Sequence, residues 1–231
     1  KRQEHLVNGE KYDAAIELLD NVDQIQEANP IAWSFRSVIA TLRDNDPEAA
    51  QAARVKALTV RERNPEVPHL IGRCLSRRYR FDDGAELQRQ AIEWKPDFIA
   101  AKMQLASDSM RLGNEEEAWK LAEEVSAADP YNVLAFNYTK VRDQLEKYDT
   151  LENEDFIIRM LPQEMEIYGD RALEILTEAQ DVLCEKYGLE LEEPTLVEFF
   201  AEQQDFAIRT FGELGGAGYL GVCFGTVITM N

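Results

Sequence analysis

The sequence predicts a fold of class α plus α+β: an array of helical hairpins over residues 1–150, followed by a small mixed α/β sheet over residues 151–231. Three observations predict it. Small and apolar residues recur at an interval of 34 positions between residues 66 and 130. Helical periodicity gives way after residue 154 to β-branched and aromatic runs, Phe156-Ile157-Ile158, Thr195-Leu196-Val197-Glu198-Phe199-Phe200 and Val227-Ile228-Thr229. Charge changes at the same place: residues 149–231 hold four basic and 18 acidic side chains, a net of −14 out of −19 for the whole chain.

The recurrence is seen by shifting residues 66–96 onto 97–130. Pro96 falls on Pro130, Ile71 on Leu105, Gly72 on Ala106, Gly84 on Ala118 and Ala91 on Val125. Two packed helices need small residues where their backbones approach and large ones beside them, and proline prevents the second helix from continuing. Leu112-Gly113-Asn114-Glu115-Glu116-Glu117-Ala118 has the composition of a turn entering a helix, as does Gly9-Glu10-Lys11-Tyr12-Asp13-Ala14-Ala15. The reading is a partial repeat ending near Pro30, a looser one over 32–65, regular repeats over 66–96 and 97–130, and a capping helix over 132–147. The polar stretch 148–154 has no periodicity and reads as a linker.

These residues resemble the tetratricopeptide repeat, and residues 1–150 are identified as a tetratricopeptide-like α-solenoid. The resemblance implies a peptide groove lined by first helices, and its positions fall on His69, Arg73, Arg77, Met103, Ser107, Met110, Arg111, Asn137, Val141 and Gln144. The expected partner is a protein or peptide. Arg73, Arg77, Arg78, Arg80 and Arg111 stand out in an acidic chain. Three readings are open for them: bidentate capture of a carboxylate-rich peptide, docking of the chain's own acidic part, or pairing with nearby acids on a solvated face. Ser34 and Val38 stand where the chaperone-binding carboxylate clamp has Lys and Asn, so chaperone binding is not expected. Trp33, Trp94 and Trp119 lie at packing positions, and Cys74 reads as a buried structural thiol.

In the second part the elements read as a strand over 156–161, a helix Pro162–Tyr187 ended by Gly188, a strand over 195–200, a short helix Gln203–Phe211, a glycine-rich loop over 212–218, and strands 219–223 and Val227–Met230 paired around Phe224-Gly225-Thr226. Gly215-Gly216-Ala217-Gly218 follows a helix and precedes a strand, which is the wrong order for a phosphate loop. Glu164, Glu166, Glu174 and Glu178 read as the solvated face of a helix.

The order Leu183-Cys184-Glu185-Lys186-Tyr187-Gly188, strand, Phe206-Ala207-Ile208-Arg209-Thr210-Phe211-Gly212, then Gly221-Val222-Cys223-Phe224-Gly225 resembles the opening of a peptidase MA-like domain, a gluzincin-type zinc metallopeptidase. In bacterial members such a domain commonly follows tetratricopeptide repeats. The resemblance implies a substrate-pairing edge strand, placed on Tyr219, Leu220, Gly221, Val222 and Cys223. It also implies a zinc site on a later His-Glu-x-x-His helix. This chain has His5 and His69 only. No catalytic, cofactor or metal residue is therefore expected within it, and zinc is expected only with a downstream catalytic half. The alternative is a stand-alone scaffold whose α+β part is a cap unrelated to proteolysis.

Composition sets outer limits. A 45% hydrophobic content supports a core. The acidic balance argues against nucleic acid and anionic membrane as partners, and no apolar run reaches the ~18–20 residues of a membrane span. Cys74, Cys184 and Cys223 are too scattered for a zinc motif or disulfide framework and are expected to be reduced. The chain opens at Lys1, mid-pattern, and reads as a segment of a longer protein; its compartment is not specified. Edge exposure near 219–231 leads to the expectation of a homodimer through that end.

Overall fold

The computed structural model describes residues 1–191, 193–215 and 218–231. The chain divides into two compact units, Lys1–Asp108 and Ser109–Asn231. The expected division near residue 150 falls inside the second.

The first unit contains α1 (Arg2–Asn8), α2 (Tyr12–Ile25), α3 (Pro30–Leu42), α4 (Pro47–Ala57), α5 (Glu66–Ser76), α6 (Phe81–Trp94) and most of α7 (Ile99–Arg111). The sequence sets several boundaries directly. Pro30 and Pro47 begin α3 and α4, where a missing N–H costs nothing. The Asn29 and Asp46 side chains accept from the N–H groups of Ala32 and Ala49 at 3.0 and 2.9 Å. The links within α1–α2, α3–α4 and α5–α6 are short, and each holds one non-glycine residue in the left-handed region: Glu10, Asn45 and Tyr79 at φ 57°, 51° and 60°. Such a backbone costs an L-residue roughly 1–2 kcal/mol, so the hairpin packing must hold it. Gly113 adopts the same region at φ 77° after α7.

Why α5 and α6 pack so closely is visible at two glycines. A Cβ on Gly72 would stand 2.9 Å from the Gly84 carbonyl oxygen and 2.7 Å from Gln88 Nε2. One on Gly84 would stand 3.2 Å from the Gly72 carbonyl oxygen. Four of the five aligned pairs of the 34-residue shift are interior, Ile71 with Leu105, Gly72 with Ala106, Gly84 with Ala118 and Ala91 with Val125, while Pro96 and Pro130 are exposed. The main core of this unit joins Val7, Leu19, Phe35, Val38, Val67, Ile71 and Leu75, with Cys74 inside it. Burial pushes the Cys74 thiol up to about 11, so it is an inert packing group. Trp33 is half-buried against this core. It donates to Glu27 O at 2.8 Å and lies beneath the Arg36 and Lys56 cations.

The second unit holds the end of α7, then α8 (Glu115–Ala128), α9 (Val133–Leu145), β1 (Asp149–Glu152), β2 (Phe156–Met160), α10 (Pro162–Tyr187), β3 (Thr195–Phe199), α11 (Gln203–Phe211), β4 (Gly221–Phe224) and β5 (Val227–Met230). The sheet order is β1-β2-β3-β5-β4, with β2, β3 and β5 parallel and both edge strands antiparallel to their neighbours. Two expectations are corrected here. The stretch read as a linker contains β1, whose Asp149 pairs with Met160 and whose side chains are largely exposed, so it carries no apolar signal. The edge strand begins at Gly221; Tyr219 and Leu220 lie before it, exposed, and Gly221 is the residue that pairs with Met230. Gly216 and Ala217 of the glycine-rich loop lie outside the described residues.

Alternation sorts the sheet into two faces. Phe156, Ile158, Met160, Val197, Phe199, Ile228 and Met230 join α10 in one cluster. Arg159, Glu198 and Thr229 align on the opposite face, and the Thr229 and Thr210 hydroxyls hydrogen-bond at 2.7 Å, docking α11. α10 ends where Gly188 adopts φ 61°, ψ 42°.

Gly72→Ala tests the close crossing. In an ordinary helix this change gains about 1 kcal/mol of propensity; here the added methyl meets backbone, and overpacking costs about 1–3 kcal/mol. The expected result is a lower urea midpoint by circular dichroism. A raised midpoint would mean that α5 and α6 do not touch at Gly72.

Candidate functional site

The residues expected to line a groove divide by burial. His69, Met103, Ser107, Met110 and Val141 are interior. The His69 ring rests 4.9 Å from Phe98, its Nδ1 lies 2.7 Å from Gln88 Oε1, and Gln88 Nε2 donates to His69 O at 3.1 Å. The amide is thereby oriented with its oxygen on the ring, so Nδ1 carries the proton. Ser107 donates to Met103 O at 3.1 Å. Asn137 donates to Gly212 O at 3.2 Å and steadies the turn after α11. Gln144 accepts from Lys147 at 2.7 Å.

Arg73 of α5 and the arginines of the turn after it are answered within their own unit. Glu4 accepts from Arg73 at 2.7 Å and lies 3.8 Å from Arg77. Arg78 donates to Asn8 O at 2.8 Å and pairs with Glu10. Arg80 pairs with Asp83 at 2.6 Å. In the second unit the Arg111 guanidinium lies 5.7 Å from the Phe224 ring centroid. The first unit therefore presents Arg73 and Arg77 as a partly exposed row held by one carboxylate from α1.

A constellation that sequence reasoning missed lies in the second unit. Glu198 of β3 is fully buried and Arg209 of α11 is 1% exposed. Arg209 Nε stands 2.7 Å from Glu198 Oε2, off the N–H direction, so the contact is a close ion pair without hydrogen-bond alignment. Arg209 also donates to Met110 O at 3.0 Å and to Glu115 at 3.2 Å. Glu115 receives Arg159 at 2.6 Å, and Arg159 reaches Glu198 at 3.2 Å, closing a ring of alternating charge. Burial pushes the Glu198 carboxyl above its ordinary value; Arg209 opposes this, Glu115 adds to it and Arg159 opposes it. Glu198 has no exposed surface of its own; the partly exposed members of the ring are Arg159 and Glu115. The available signal was a single charge inside each of three apolar runs: Arg159 among isoleucines and Met160, Glu198 between Val197 and Phe199, Arg209 between Ile208 and Thr210.

A cleft of about 350 Å³ opens where β2, β3 and β5 end, lined by Met160, Phe199, Phe200 and Met230 from the sheet side and by Tyr168, Ala172 and Ile175 from α10. Glu164, Arg171 and Asn231 complete its lining. Carboxyl ends of parallel strands are where open α/β sheets place ligands. Among the described residues no group of three or more His, Cys, Asp and Glu is placed to hold a metal ion. No described helix is long and apolar enough to cross a membrane.

Removing one member of the charged ring leaves buried charge behind. Arg209→Met is expected to cost about 3–5 kcal/mol, and adding Glu198→Gln is expected to recover part of it, read as urea midpoints in a double-mutant cycle. Additive losses would mean that the two side chains do not interact. Burial also lowers the His69 value, with Gln88 opposing. A lowered folded value means that the unfolded chain binds the proton more readily. The contribution is therefore complete above about pH 6.5 and is lost as the pH falls below it. His69→Gln should flatten stability between pH 7 and 5; an unchanged slope would place the titration elsewhere.

No family model matches the chain, and no curated protein matches it.

Proposed function

We propose that this chain is a protein-interaction module built on tetratricopeptide-like repeats, belonging to a larger bacterial zinc metallopeptidase of the peptidase MA-like group and itself non-catalytic. The observation that carries the repeat reading is the recurrence of the left-handed turn. Glu10, Asn45, Tyr79 and Gly113 follow one another at 35, 34 and 34 residues, the period at which small buried residues also recur. A left-handed turn recurring at nearly the same interval supports a series of equivalent hairpins.

For the first unit the recognition element is Arg73 with Arg77, and the ligand class is a carboxylate-bearing peptide. Glu4 supports this chemistry because its carboxylate occupies the position that a ligand carboxylate would take. Partly exposed ion pairs contribute about 0–1 kcal/mol, so displacing Glu4 is a small obstacle to a multivalent acidic ligand. The second reading, a stand-alone scaffold with an α+β cap, is favoured by the closed Glu198–Arg209 ring, which gives the sheet its own internal support.

Replacing Arg73 and Arg77 by Ala and titrating an acidic peptide pool tests this site in the first unit. A loss of at least about tenfold in affinity is expected from two or more charge-assisted bonds; unchanged affinity removes the site. The metallopeptidase reading is decided separately, by metal analysis of the full natural protein. One zinc per chain is expected, and a protein without a zinc-binding His-Glu-x-x-His helix overturns it.

A further inference from the structure

We propose that the second unit carries a docking trough for a basic amphipathic helix of a partner protein, between α10 and the partly exposed half of the sheet. The proposal uses none of the repeat reading, since every residue in it belongs to 109–231.

The two sheet faces are covered unequally. On the Glu198 face, Val227 and Thr229 of β5 are buried; on the α10 face, Ile228 and Met230 of the same strand, and Phe199 of β3, remain partly exposed. Among the described residues α10 packs chiefly on β1 and β2, and β5 reaches its cluster only through the partly buried Ile228 and Met230. A layered α/β fold places helices side by side over such a face, about 8–10 Å apart.

The side of α10 that borders the cleft presents Tyr168, Ala172 and Ile175, with Glu164 and Arg171 beside them. Tyr168, Ile175 and Val182 lie seven residues apart and are 59%, 48% and 56% exposed. Tyr168 and Ile175 line the cleft together with Phe199 and Met230. A stripe of this length runs about 21 Å at 1.5 Å per residue, which matches a four-turn helix. Solvation alone does not account for three large apolar side chains in register beside a half-open sheet.

Charge selects the occupant. α10 carries seven acidic side chains and two basic ones; Glu164 and Arg171 both line the cleft, Arg171 is paired with Glu174, and Glu178, Asp181 and Glu185 are exposed along the rest of the helix. Residues 149–231 as a whole have a net charge of −14. A second copy would bring two acidic surfaces together, and an anionic membrane would be repelled. A helix with an apolar stripe flanked by Lys and Arg satisfies both the trough and its rim.

The test titrates the full chain with an 18-residue helical peptide of Leu and Lys, and with its Leu and Glu counterpart, by calorimetry. Ile175→Glu and Val182→Glu are the diagnostic variants: both side chains are already half-exposed, so folding is preserved, and each adds negative charge. Attraction by charge alone would strengthen binding of the basic peptide, whereas trough docking predicts at least tenfold weaker binding. Val133→Glu, exposed and outside the trough, should bind as the parent does. Equal affinity for the acidic peptide, or binding unchanged in the Ile175 and Val182 variants, overturns the proposal. So does a concentration-dependent dimer abolished by those variants, which would assign the trough to a second copy. Protection of Ile175 and Val182 by following sequence in the full natural protein would assign it to the chain itself and likewise overturn docking in trans.

Discussion

A carboxylate in the middle of a sheet constrains everything packed around it. Glu198 occupies a central strand, is shielded from solvent completely, and is kept there by Arg209 and Arg159. Because strand side chains alternate, a one-residue slip of β3 would move Glu198 onto the apolar α10 face and leave both arginines without it. The observed register, Arg159 beside Glu198 beside Thr229, is the one that keeps charge on one face and hydrocarbon on the other. The same ring reaches beyond the sheet: Glu115 at the start of α8 and the Met110 carbonyl receive Arg209, so the helices that begin this unit are tied to α11. Desolvating four charges costs several kcal/mol per ion, which makes the ring a device for specificity of register and docking more than a source of net stability.

In the first unit the governing constraint is steric. α5 and α6 cross where neither Gly72 nor Gly84 has room for a side chain, and the tight link between them forces Tyr79 into the left-handed region. His69 and Gln88 then fill the adjoining interior with a reciprocal pair, ring to amide oxygen and amide nitrogen to carbonyl. A buried neutral histidine in that setting consolidates packing. It also explains why a position assigned to a groove by repeat analogy has its side chain in the interior.

The legible parts of the chain were those whose boundaries are set by local chemistry. Pro162 and Gly188 bracket α10, Gly212 ends α11, and Pro30 and Pro47 start their helices. β1 was not legible because an exposed four-residue edge strand needs only a backbone partner, and its sequence, Asp-Thr-Leu-Glu, has no reason to look apolar. Tyr219 has a strand-forming side chain, yet the strand begins at Gly221, where the ladder with β5 starts; Leu220 adds only its carbonyl, which accepts from Asn231 N at 3.0 Å. Glu198 was visible only as an oddity: a charge within a run of buried residues implies a buried counter-charge, but which arginine supplies it depends on contacts 11 and 39 positions away in sequence. Among the groove candidates, the apolar ones followed helical periodicity inward, as Met103, Met110 and Val141 do, whereas Arg73 and Arg77 stayed at the surface because a guanidinium can bury its stem and keep its head in water.

The two faces of the sheet illustrate how an acidic chain distributes its charge. On the Glu198 face the arginines are spent internally: two of the four basic side chains after residue 148 are locked into the ring. That leaves Arg171, paired with Glu174 three positions on, and Lys186 as the basic groups of α10. The opposite face therefore meets solvent with uncompensated carboxylates beside exposed Tyr168, Ile175 and Val182. An apolar stripe would ordinarily promote self-association, and the surrounding negative charge opposes it. A surface that is sticky to hydrocarbon and repellent to copies of itself is a selective one, and its selectivity follows from where the arginines are buried.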